Sequence, residues 1–147
     1  MSIQDMIAQL GQGMLTSVLI YALTLIGAVP LALPLALARG GKSKIARLLT
    51  GAYISFMRGT PLMLQLIAVY FGPWYLFRIR ISDGYRFYAV IIAFVLNYAA
   101  YFAEIYRAGI AAVPKGQREA AAVLGYTNAQ AFFRIVLPQV IKHILPP

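Results

Sequence analysis

Asn97, Tyr101 and Glu104 are the residues whose types and spacing could do chemistry. They stand at i, i+4 and i+7, so one helix face would carry an amide, a phenol and a carboxylate in line. Such a row can hold a polar solute by hydrogen bonds and charge. The competing reading is structural, with Asn97 and Tyr101 bonding to neighbouring helices and Glu104 pairing with Arg107 at i+3. Little else in the sequence is reactive. It has no cysteine, so neither a disulfide framework nor thiolate chemistry is available. A single histidine, His143, leaves no His-based metal cluster. GGKS at 40–43 invites a phosphate-loop reading, but that motif needs a glycine five residues before its last one. Position 36 is Ala36 and no strand precedes the stretch. Nucleotide binding is rejected there, and with it ATPase activity within this chain.

The helix that would present these groups is a membrane helix. Hydrophobic residues make up 61% of the chain and charged residues 12%, and the mean hydropathy is +0.75. A soluble domain averages about 45–50% apolar and about 25% charged. The net charge of +9 would suit nucleic acid or anionic lipid as a partner. In a membrane chain the simpler source is preferred: cytoplasmic loops collect Lys and Arg. The N-terminus lacks the basic opening of a signal peptide, since the first Lys or Arg is Arg39, and the first hydrophobic segment is expected to be retained.

No charge occurs from Met6 to Ala38, and about 20 apolar residues cross a hydrocarbon core. A first span is expected at 13–38, after a short surface helix with Ile3, Met6, Ile7 and Leu10 on one side. Pro30 and Pro34 inside it are tolerable where neighbours satisfy the freed carbonyls. A basic loop follows, with Arg39, Lys42, Lys44 and Arg47. The second span, 48–77, is interrupted by RGTP at 58–61, where Gly59 and the residue before Pro61 favour a kink or local unwinding. Arg58 reads as a side chain snorkelling to the interface or as a pathway group. RIRISDGYR at 78–86 is a turn with Asp83-Gly84 at its tip. The third span, 87–108, carries Asn97, Tyr101 and Glu104. Loops 39–47 and 107–118 together hold more Lys and Arg than 78–86, which puts the N-terminus outside and residues 115–138 in the cytoplasm.

Pro114 suits a first helical turn. Lys115–Leu124 reads as a short helix with Gly125 as its left-handed stop. TNAQ at 127–130 is a capping box, the Thr127 hydroxyl capping and Gln130 reaching back. A second helix runs to Leu137, where Pro138 breaks or kinks it. As a DNA reader this helix–turn–helix is poor: Arg134 is the only base among Phe132, Phe133, Ile135, Val136 and Leu137, so no nucleic acid partner is expected. The same residues would suit an interfacial helix lying on the bilayer.

EAAAVLGYTNAQAFFRIVLP, residues 119–138, resembles the EAA loop of permease subunits from bacterial ATP-binding-cassette importers. Glu119, Ala120, Ala121, Gly125, Ile135, Leu137 and Pro138 match the family pattern at its spacing. RGTPLMLQLIAVYFG at 58–72 and LNYAAYFAEIYRAGIAAVPKGQ at 96–117 are similar to the branch for polar amino acids. The resemblance implies an all-α polytopic transmembrane protein of the bacterial cytoplasmic membrane, with three full spans and a cytoplasmic coupling segment. It implies that those seven residues couple the chain to a separate ATP-binding subunit. A second permease subunit (homo- or heterodimeric), an external solute-binding protein, an amino acid substrate and membrane lipid would be the other partners. No cofactor, metal or covalent chemistry is implied for this chain.

Ala120, Ala121 and Ala122 suit close docking, and Glu119 offers a charge to a basic partner or to its own helix N-terminus. Under this resemblance Asn97, Tyr101 and Glu104 could hold a zwitterionic amino acid. Family members usually continue past LPP with further spans, whereas this sequence reaches Pro146-Pro147. Three helices do not enclose an aqueous pathway, so a fragment, a short product or completion by other chains is expected. The alternative from another class is a small basic membrane protein, a pore former or regulatory fragment without a transporter complex.

Overall fold

The computed structural model describes residues 2–82 and 84–145. Met1, Asp83 of the expected turn tip, and Pro146-Pro147 at the expected start of a further helix lie outside the described residues. Among the described residues the chain is helical without a strand. The helices are α1 (Ile3–Gly40), α2 (Lys44–Gly59), α3 (Leu62–Phe77), α4 (Tyr85–Ala112), α5 (Lys115–Val123), α6 (Asn128–Ala131) and α7 (Leu137–Ile144), with a π-helical turn, Phe132–Val136, joining the last two.

α1 merges the expected surface helix and the first span. Ser2 and Asp5 cap it reciprocally: the Ser2 hydroxyl accepts from the Asp5 N–H at 3.2 Å, and the Asp5 carboxylate accepts from the Ser2 N–H at 2.9 Å. Residues 3–19 are exposed, so no tertiary contact turns the chain there. Pro30 and Pro34 sit inside the helix without ending it. α1 and α4 are each long and apolar enough to cross a membrane.

Their contact is made of small side chains. Thr24, Ala28, Ala32 and Ala36 form a buried stripe at every fourth residue of α1, and Ala89, Ala93, Ala100 and Ala103 are buried on α4. Gly27 sits so close that a Cβ there would lie 2.8 Å from Val95 Cγ2. In lipid the hydrophobic effect does not drive helices together, and close backbone approach through small residues supplies the dispersion that does. Ile54 of α2 joins Ala32, Ala36, Ala100 and Ala103 in one cluster, and the Tyr53 hydroxyl donates to the Leu96 carbonyl at 2.6 Å.

The second expected span is unwound at the expected place, and sharply bent there. α2 ends at Gly59, Thr60 is extended, and α3 starts after Pro61 at 109° to α2. Each of these 16-residue helices is about 24 Å long, short of a hydrocarbon core of about 30 Å.

Pro138 does not end the last helix either. An α-helical proline presses on the carbonyl four residues back, here that of Arg134. The chain widens into the π turn just before it, with the Leu137 N–H bonding to the Phe132 carbonyl. A π turn relaxes the ladder by one residue, and α7 then continues to Ile144.

Candidate functional site

Two features could carry function, the α5–α7 segment and a polar cluster at the α2–α3 break. In the first, α5 ends in a closed glycine turn. Gly125 has φ +79°. Its N–H bonds to the Ala122 carbonyl and the Tyr126 N–H to the Ala121 carbonyl, both at 3.0 Å. This bond pair is the Schellman stop, which a left-handed residue makes possible. The capping box then restarts the chain: the Thr127 hydroxyl accepts from the Gln130 N–H at 3.3 Å, and Gln130 Oε1 accepts from the Thr127 N–H at 2.9 Å.

The segment is anchored from behind. Val113, Val136 and Val140 form a buried cluster backed by Tyr106, Ile110, Phe132 and Ile144. α7 lies directly on α4 at Gly109, where a Cβ would meet Ile144 Cγ2 at 2.6 Å and Val140 Cγ1 at 2.9 Å. Of the seven motif residues, Ala121 is buried and Ile135 and Leu137 are half-buried. Glu119, Ala120, Gly125 and Pro138 are exposed. The motif is thus divided between residues that hold the segment and residues it displays. Val123 and Leu124 stand out beside the glycine, 89% and 74% exposed. Sequence reasoning missed them. Their signal was two adjacent apolar side chains immediately before a helix stop.

In the second feature, Asn97 is 5% and Gln65 7% exposed. Asn97 Nδ2 donates to the Met57 carbonyl and to Gln65 Oε1, each at 3.0 Å. Gln65 Nε2 faces the Met57 carbonyl at 3.0 Å, the Thr60 carbonyl at 3.1 Å and Thr60 Oγ1 at 2.7 Å. The Thr60 hydroxyl donates to the Phe56 carbonyl at 2.8 Å. Helix ends leave carbonyls unpaired, and these side chains satisfy them where α2 stops. Gln65 and Thr60 were not singled out from sequence, although Gln65 is the one polar side chain between Pro61 and Tyr70.

The structure separates the Asn97–Tyr101–Glu104 row. Asn97 faces the helix break. Tyr101 is 41% exposed, with the Arg58 guanidinium 5.4 Å from its ring centre. Glu104 binds Arg107 through Nε at 2.8 Å and Nη2 at 2.7 Å, and Arg39 Nε lies 3.8 Å from its other oxygen. Arg39 also crosses Gly51 to reach the Arg47 carbonyl at 3.2 Å. Among the described residues no three His, Asp or Glu side chains gather as a metal site would need.

Residues 28–147 match the family described as binding-protein-dependent transport system inner membrane component. The chain belongs to this family. It is 45% identical over 130 residues to the L-cystine transport system permease protein TcyL of Bacillus subtilis (strain 168), covering 86% of this chain and 54% of that protein. It is 45% identical over 112 residues to the putative glutamine transport system permease protein GlnP of Rickettsia bellii (strain RML369-C), covering 76% and 50%. The arginine transport system permease protein ArtQ of Bacillus subtilis (strain 168) is 48% identical over 94 residues, covering 64% and 42%. A crystal structure of an amino acid ABC transporter with histidines superposes with a TM-score of 0.77 at 37% identity, covering 99% of this chain and 68% of that one. This inner membrane component thus spans about half the length of the curated relatives it matches.

Proposed function

We propose that the chain is the membrane part of a translocation subunit in an ATP-binding-cassette importer for polar amino acids. The observation that supports this best is the α5–α7 segment. Its Schellman turn and capping box fix an exposed pair of short helices, and α7 fixes that pair to a membrane helix at Gly109. A partner pressing on α5 therefore moves α4. ATP hydrolysis belongs to a separate ATP-binding subunit that receives Glu119, Ala120, Val123 and Leu124. A second permease subunit completes the pathway, and an external solute-binding protein delivers the amino acid.

In this reading α2 and α3 together form one broken span. The N-terminus is then outside and α5–α7 are in the cytoplasm, in keeping with the Lys and Arg bias of the loops. Asn97 serves the pathway by holding the helix break open against α4, while Tyr101 and Glu104 border it with Arg58 and Arg107. The relatives' names, for cystine, glutamine and arginine transport, support a polar amino acid as cargo.

The test is co-purification. A full-length version carrying this segment should retain an ATP-binding subunit through membrane extraction. Loss of that subunit when Val123 and Leu124 are both changed to Asp would fit the proposal. A full-length protein that never retains any ATP-binding partner would refute it.

A further inference from the structure

The ends of α1 and α4 enclose a cleft with α5, α6 and the π turn, of about 750 Å³. Arg39, Lys42, Arg107, Lys115 and Arg118 line it. Lys42 belongs to GGKS, the stretch whose phosphate-loop reading failed. Among the described residues Glu104 is the one acid in an ion pair with any of these five, reaching Arg107 and Arg39. Lys42, Lys115 and Arg118 have no ion-pair partner among the described residues. The remaining wall is apolar, with Leu37, Ile110 and Phe132.

Charge and place together narrow the ligand. An excess of Lys and Arg suits an anion with several oxygens. A soluble anion needs no apolar wall, but a lipid does. The cleft opens where two helices long and apolar enough to cross a membrane end, and a span end is where phospholipid headgroups lie. Basic pockets between helices on the cytoplasmic side are suited to anionic headgroups. We propose that this cleft binds the phosphodiester headgroup of an anionic phospholipid, with its acyl chains along Leu37 and Ile110. The lipid would tie the start of α5 to the ends of α1 and α4. The proposal does not depend on the cargo or on any ATPase partner.

The test measures lipid selectivity of the full-length protein in nanodiscs, using spin-labelled phosphatidylglycerol against spin-labelled phosphatidylcholine. The cleft variant is Lys42→Gln/Lys115→Gln/Arg118→Gln. The control, Arg78→Gln/Arg80→Gln/Arg86→Gln, removes equal charge from the loop between α3 and α4. A juxtamembrane cation near an anionic surface changes affinity about fivefold, so the cleft variant should lose roughly tenfold or more in selectivity. The control and a Lys42→Arg/Lys115→Arg variant should keep it, and added inorganic phosphate should not displace the lipid. Unchanged selectivity in the cleft variant, equal loss in the control, or phosphate binding without lipid selection would each overturn the proposal.

Discussion

Replacing Gly125 tests the α5 stop most directly. At φ +79° an ordinary L residue is strained, by roughly 1–2 kcal/mol. Nothing lies within 4 Å of where its Cβ would be, so Gly125→Ala adds no collision to that strain. One to two kcal/mol is a factor of about 5–30 in the population of the closed turn. Gly125→Val adds crowding at Cβ and should lose more. Gly125→Asn should lose least, because asparagine tolerates the left-handed region. When the turn opens, the Ala121 and Ala122 carbonyls lose their partners and the angle between α5 and α6 is no longer fixed. The assay is a full-length version with its ATPase and binding protein in vesicles. Uptake and ATP hydrolysis stimulated by the loaded binding protein would be read at equal membrane abundance. Both should fall in the order Gly, Asn, Ala, Val. Wild-type values for Gly125→Val would show that the stop is not needed and that the account of this turn is wrong.

Asn97→Leu and Gln65→Leu should each destabilise the detergent-solubilised protein by about 1–3 kcal/mol, through buried groups left unpaired. The double variant should cost less than the sum, because each single variant already breaks the Asn97–Gln65 bond; additive losses in thermal unfolding would contradict that coupling. Gly109→Val should push α7 off α4 at a cost of roughly 1–3 kcal/mol, seen as faster hydrogen exchange over 137–144, and unchanged protection would contradict the close packing there. A cysteine at Ser82, in a chain without one of its own, should be labelled from outside only. Labelling only from the cytoplasm would make α2–α3 a re-entrant pair and reverse the placement of α5–α7.

Local signals were the legible ones. The Thr127–Gln130 box, the Gly125 stop and the Glu104–Arg107 pair each join residues three apart, or rest on a single backbone preference, and all are present. RGTP gave the place of the break but not its size. Asn97 and Gln65 bond to each other at the break although they are 32 residues apart in sequence, and periodicity cannot see such a bond. Pro138 was expected to break or kink the helix; it does not break it, because the preceding five residues adopt the wider turn that accommodates it. The surface helix and the span expected at 13–38 run together as α1, since an exposed apolar stretch carries no local mark of where one becomes the other. The membrane character, by contrast, was plain from composition.

The alanine stripe between α1 and α4 has a genetic consequence. A single base change in an alanine codon yields Val, Thr, Ser, Pro, Gly, Asp or Glu. Only glycine among these is smaller. Every other one-step variant at Ala28, Ala32, Ala93 or Ala100 puts extra atoms between two helices whose backbones already lie close, and several also bring a polar group or a charge. Random mutation therefore has almost no conservative direction at this contact. The surface built from the plainest side chains is the one with the least room to drift.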